Sequence, residues 1–134
     1  PNAVGLAGLN ASVRWILEQD IDQIRSHESL LTKRLLDGLS LIAGVEVYGE
    51  RDTEKQIATV SFNILGKAPS EIGLRLDEEF DILCRVGLHC SPASHRTIGT
   101  FPAGTIRFGF GFFNTEDEVD TAIVAVRKLA VEER

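Results

Sequence analysis

Arg85-Val86-Gly87-Leu88-His89-Cys90-Ser91-Pro92 sets a cysteine in a short turn between a glycine and a proline, directly after the apolar run Phe80 to Cys84. The run reads as a strand, and the glycine and proline read as turn punctuation. A cysteine on such a turn is presented to solvent or substrate rather than packed away. Arg85, Arg96 and His89 are near in sequence, and positive neighbours lower a thiol's pKa and raise its reactive thiolate fraction. A partly buried, inert thiol stands as the alternative, since free cysteine is among the most often buried residue types.

Upstream of this turn the chain punctuates itself. Leu6, Leu9, Val13, Ile16 and Leu17 recur at helical spacing, which predicts an amphipathic helix flanked by Trp15. Asp20 and Asp22 interrupt it and suit the start of a second helix. Ile24, Leu31, Leu35, Leu39 and Ile42 mark one face of that helix, with Gly44 as its C-cap. Val45 to Tyr48 predicts a short strand, Glu50 to Lys55 a charged loop, and Ile57 to Phe62 a second strand. Pro69 suits a helix's first turn, and Ile72, Leu76 and Phe80 continue that helix. Ile82 to Arg85 predicts a strand, and Val86 to Gly104, aperiodic and rich in glycine and proline, a long loop of the kind that is usually functional or disordered. Downstream, Thr105 to Phe110 predicts a strand. Thr115 with Glu118 forms a capping box, and Val119, Ala122, Ile123, Val126 and Leu129 mark the last helix. Few short strands alternating with helices predict an α/β chain of the α+β two-layer sandwich type, a small mainly antiparallel sheet with helices on one face.

Composition narrows the function classes. The 134 residues are 43% hydrophobic and 25% charged, enough to build a core rather than remain disordered. The net charge of -6 argues against a binder of nucleic-acid phosphates, which needs clustered lysine and arginine. No apolar run is long enough to span a membrane, and no secretory signal opens the chain. Two cysteines, Cys84 and Cys90, do not make a disulfide framework. Together these predict a soluble, cytoplasmic domain with free thiols. Cys84, His89, Cys90 and His95 match no zinc spacing, so no metal is expected.

Four stretches resemble one family. Arg85 to Pro92 is similar to the active-site turn of the group II cysteine desulfurases, including their selenocysteine lyase branch, within the class V aminotransferase group of pyridoxal-phosphate (PLP) enzymes. Pro1-Asn2 followed by Gly5-Leu6-Ala7-Gly8-Leu9 resembles the segment that leaves the large domain. Thr105 to Thr115 resembles the strand and turn carrying the arginine that holds the substrate carboxylate, and Glu116 to Asp120 the start of the last helix. The resemblance runs the length of the chain and covers only the C-terminal part of such an enzyme. It implies residues 1-20 as a linking helix from a missing large domain and residues 21-134 as the C-terminal small domain of a PLP-dependent transferase fold.

The resemblance also implies roles. Cys90 would be the catalytic nucleophile that carries sulfur away as a persulfide, releasing alanine from cysteine or selenocysteine. Arg107, mid-strand among apolar residues, needs an anionic partner. That partner is either a structural carboxylate or, as the resemblance implies, the substrate carboxylate held bidentately. Arg85 would assist substrate binding or merely end a strand, and His89 would tune Cys90 while His95 reads as a surface loop residue. Leu88 stands where the family's turn often has a second histidine. Lys33, Lys55, Lys67 and Lys128 sit in no family lysine motif, so PLP would belong to the missing large domain and this chain alone would be inactive. An amino-acid substrate, a homodimeric parent and a sulfur-acceptor protein are the implied partners. Another class V activity, such as transamination or epimerisation, and a non-catalytic dimerisation or interaction module remain the rival readings.

Overall fold

Strands β1 (Val45–Tyr48), β2 (Thr59–Ile64), β3 (Arg85–Gly87) and β4 (Thr105–Gly109) form one antiparallel sheet in the order β1-β2-β4-β3. They belong to a computed structural model that describes residues 1–132. Around them run α1 (Ala3–Gln19), α2 (Ile21–Ser40), α3 (Pro69–Phe80), α4 (Pro92–Thr97) and α5 (Glu116–Val131). The two-layer α+β architecture expected from the sequence is the one observed.

Period-two alternation explains the layers. In Thr-Val-Ser-Phe-Asn-Ile of β2, Val60, Phe62 and Ile64 are buried while Thr59, Ser61 and Asn63 lie on the other face. Ile106 and Phe108 of β4 are buried in the same layer. Against them pack Leu31, Leu35 and Leu39 of α2, Ile72 and Leu76 of α3, and Val119, Val126 and Leu129 of α5. Each such side chain contributes about 1.5–3 kcal/mol by leaving water. Arg34 of α2 clamps Asp120 and Glu116 of α5 at 2.7 and 2.6 Å. These groups are half-exposed, so the clamp orients the helices more than it stabilises them. All of this covers one face of the sheet. The other face carries Glu46, Tyr48, Thr59, Ser61, Asn63, Arg85 and Arg107.

The helix α1 stands apart from that core. Its apolar stripe is exposed, Leu9 at 61% and Leu17 at 75%, and it is held chiefly by Trp15, whose ring lies 5.2 Å from those of Phe112 and Phe113. Asp20, with φ +67, breaks α1 from α2, and its side chain accepts from the Asp22 amide.

Three boundaries depart from the sequence reading. The second strand starts at Thr59, not Ile57, because Arg25 of α2 donates to the carbonyls of Thr53 and Gln56 and fastens that loop to the helix. Ile57 is left exposed. Residues 82–84 are not strand: Asp81 turns left-handed at φ 55 and the Ile82 amide returns to the Leu76 carbonyl. Pairing with β4 begins only at Arg85. The stretch Val86 to Gly104 is not one loop either. Its first two residues belong to β3, and Pro92 in the first turn opens α4.

Candidate functional site

Register places two arginines side by side. Tyr48 pairs with Ser61, Ser61 with Arg107, and Arg107 with Arg85, in one row across the sheet. The row lies on the face opposite the helix layer, since Ile106 and Phe108 on either side of Arg107 point into the core. Like charges directly across a strand pair are unfavourable. Among the described residues neither guanidinium has an ion pair or hydrogen bond with a carboxylate. The structural-carboxylate alternative for Arg107 therefore finds no partner among the described residues, and two arginines stand opposite one another in one row of the open face.

The Cys90 turn is tied to the same face. After Gly87 the chain runs through two consecutive non-glycine residues in left-handed conformation, His89 at φ 48 and Cys90 at φ 61. Each costs about 1–2 kcal/mol, and such strain persists only where the surroundings hold it. His89 Nε2 is 3.3 Å from Thr105 Oγ1, and Thr105 stands two residues from Arg107 on the open face. Gly104, at φ +81, closes the loop: a Cβ there would lie 2.2 Å from the Gly87 carbonyl group. The two ends of the 87–104 segment thus touch through glycine backbone, and Asn63 Nδ2 donates to the Gly104 carbonyl at 3.1 Å.

The titratable groups divide sharply. Burial, then the charges of Arg107 and His95, push the His89 pKa below its ordinary value. His89 is therefore uncharged at neutral pH, and any influence on Cys90 acts through hydrogen bonding or as a base, not through positive charge. Arg96 is turned to Phe101, its guanidinium carbon 4.6 Å from the ring centroid. Cys90 is exposed, whereas Cys84 is half-buried and its thiol is pushed up by burial and by Asp77. Cys84 packs against the core with its thiol pushed toward the protonated form, and Cys90 is the solvent-exposed thiol of the two.

His95 is the residue the sequence misjudged. Read as a surface residue, it is 5% exposed, with Nδ1 2.7 Å from Thr100 Oγ1 and its ring 5.7 Å from that of His89. Pro92 behind Ser91 was the available signal, since proline favours a helix's first position and would have set α4, with His95, inside the loop.

No lysine stands at this site. Lys33 pairs with Asp37, Lys55 with Asp52, Lys67 binds the Glu132 carbonyl and Lys128 lies over Phe80. What Arg85, Arg107 and Cys90 offer is two arginines opposite one another on the open face and an exposed thiol. A cleft lined by Phe80, Ile82, Phe108, Phe110, Asp117 and Glu118 lies elsewhere and includes none of Arg85, His89, Cys90 or Arg107. No cluster of metal-ligating side chains occurs among the described residues. No helix among them is long and apolar enough to cross a membrane.

Comparison with known proteins bears on the family and the fold. Residues 1–122 match the model of the family described as aminotransferase class-V. The chain is 36% identical over 124 residues to a probable cysteine desulfurase of Halobacterium salinarum, covering 92% of this chain and 29% of that protein. It is 33% identical over 126 residues to probable cysteine desulfurase 2 of Mycobacterium leprae, covering 94% and 29%. Among solved structures, the apo cysteine desulfurase of Thermococcus onnurineus superposes with a TM-score of 0.90 at 33% identity, covering 97% of this chain and 32% of that one. The chain spans under a third of the length of the curated relatives it matches.

Proposed function

The chain belongs to the class V aminotransferase family, and from that premise we propose that it forms the C-terminal domain of a cysteine desulfurase that works with PLP. Residues 1–20 are then the helix leading from a large domain, and residues 21–134 the small domain. The observation that carries this reading is the pairing of an exposed thiol, Cys90, with two facing arginines that have no carboxylate partner among the described residues, both served by one open sheet face.

In this reading Arg107 holds the substrate carboxylate bidentately, with Arg85 adding charge beside it. Cys90, as thiolate, attacks the substrate sulfur. A sulfur–sulfur bond forms as the substrate's carbon–sulfur bond breaks, the carbon takes a proton, and alanine leaves with the persulfide on Cys90. His89, held uncharged, is the base next in the chain to the thiol. PLP, when bound by the rest of the protein, supplies the electron sink that makes the substrate's bonds labile. A homodimeric parent and an acceptor protein that collects the persulfide complete the proposal.

The test is a persulfide and alanine assay on the full-length protein with PLP and L-cysteine. Cys90→Ala should abolish sulfur transfer while PLP stays bound, because the lost group is the nucleophile and not a cofactor anchor. Arg107→Ala should raise KM and lower kcat. A Cys90→Ala protein that desulfurises cysteine at the parental rate would end this reading, and selenocysteine cleavage or an epimerase-type reaction would replace it.

A further inference from the structure

Within the loop between β3 and β4, His95 is the most enclosed titratable side chain, at 5% exposure. The reading of Cys90 and Arg107 gives it no task. Three contacts fix it. Its Nδ1 is 2.7 Å from the hydroxyl of Thr100, itself buried. Its carbonyl accepts from the amides of Thr100 and Phe101 at 2.9 and 3.1 Å. Its amide returns to the Ser91 carbonyl at 3.3 Å, at the end of the Cys90 turn. The ring is then presented to His89 at 5.7 Å.

His89 needs such support. It and Cys90 occupy consecutive left-handed positions, and among the described residues the side-chain hydrogen bond that ties it to the sheet is the 3.3 Å contact with Thr105. A single weak hydrogen bond does not determine a strained turn; packing from a fixed neighbour does. We propose that His95 is a positioning residue for sulfur transfer: locked by Thr100, its ring holds His89 in place against Thr105, and thereby holds the turn that presents Cys90 above the Arg107 face. The inference rests on the proposed role of Cys90, but its structural half concerns His89 alone. The charged and titratable groups acting on His89 are Arg107 of β4, Arg85 of β3 and His95 of α4.

The test uses the full-length protein, with histidine-selective NMR of His89 and steady-state turnover of L-cysteine. His95→Phe keeps a ring but removes the Thr100 bond and the ionisable group that helps lower the His89 pKa. The His89 titration midpoint should then rise, and kcat should fall on the order of tenfold, as small misplacements of reacting groups do. KM should stay nearly unchanged, because Arg107 is untouched. His95→Asn, whose amide can replace Nδ1 toward Thr100 but which lacks the ring packed on His89, should leave kcat low; recovery of kcat by Asn would overturn the role given to the ring. Thr100→Val should lower kcat in the same way, and it carries the test if His95→Phe fails to fold. An unchanged His89 midpoint with unchanged kcat in His95→Phe and Thr100→Val overturns the proposal. So does an equal loss of kcat in Arg96→Ala, which loosens the same loop without touching His95's bond. If Cys90→Ala remains active while His95→Phe still raises the His89 midpoint, the nucleophile reading fails and the placement of His89 by His95 stands.

Discussion

Replacing Gly104 by alanine tests the closure of the active loop. The added Cβ would lie 2.2 Å from the carbonyl carbon and oxygen of Gly87 and 2.6 Å from its Cα. Backbone cannot swing aside as a flexible side chain can. Relief requires β3 and β4 to separate by roughly 1 Å where Gly87 pairs with Thr105, since relaxed carbon contacts lie near 3.5 Å. The φ of +81 at Gly104 adds about 1 kcal/mol for a residue with a Cβ. Overpacking against fixed neighbours adds about 1–3 kcal/mol. The sum, about 2–4 kcal/mol, corresponds to a melting point lower by about 8–15 °C in a domain of this size. The assay is thermal and urea unfolding of the chain. Gly99→Ala is the control: its φ is +78 but no atom lies within 4 Å of the new Cβ, so only the left-handed cost of about 1 kcal/mol applies. Equal destabilisation by the two substitutions would refute the claim that backbone contact with Gly87 holds the loop shut.

Other expectations can be checked alongside. Iodoacetamide at neutral pH should modify Cys90 well before Cys84, whose thiol is half-buried and pushed up; equal rates by peptide mapping would contradict the division of the two thiols. His89 binds protons less readily folded than unfolded. Its contribution to stability is complete above the unfolded value of about 6.5 and is lost as pH falls through the lower folded value. His89→Asn should therefore flatten the decline in stability on acidification between about pH 6.5 and the lower folded value, and an unchanged slope would count against a depressed His89. Thr115 caps α5 through the Glu118 amide, with the Glu118 carboxylate returning to the Thr115 amide at 2.8 Å. Thr115→Ala should cost about 1 kcal/mol by urea unfolding, and no loss would mean that the box contributes nothing.

Much of the architecture was legible because it rests on local rules. The span Pro69 to Phe80 begins at a proline suited to a first turn and runs on four-residue apolar spacing, and α3 has those bounds. The Thr115–Glu118 box starts α5 as the residues indicate, because both of its hydrogen bonds lie within one turn. Arg107 was legible as a mid-strand cation and Cys90 as an exposed thiol, since each follows from its immediate neighbours.

What sequence alone determined was therefore α1, α2, α3 and α5 but not α4, the alternation of the strands, and the positions of the thiol and the arginine. Tertiary structure decided the rest, because it depends on residues far apart in the chain. Arg25 reaches across to Thr53 and Gln56 and moves the start of β2. The register of β4 sets Arg85 opposite Arg107, and no spacing along either strand encodes that pairing. Gly87 meets Gly104 only once the sheet has formed, and the burial of His95 is a property of the folded loop and not of its neighbours in sequence. Local propensity acts over one turn or one strand; a site assembled from two strands and a closed loop exists only after the long-range pairings that bring them together.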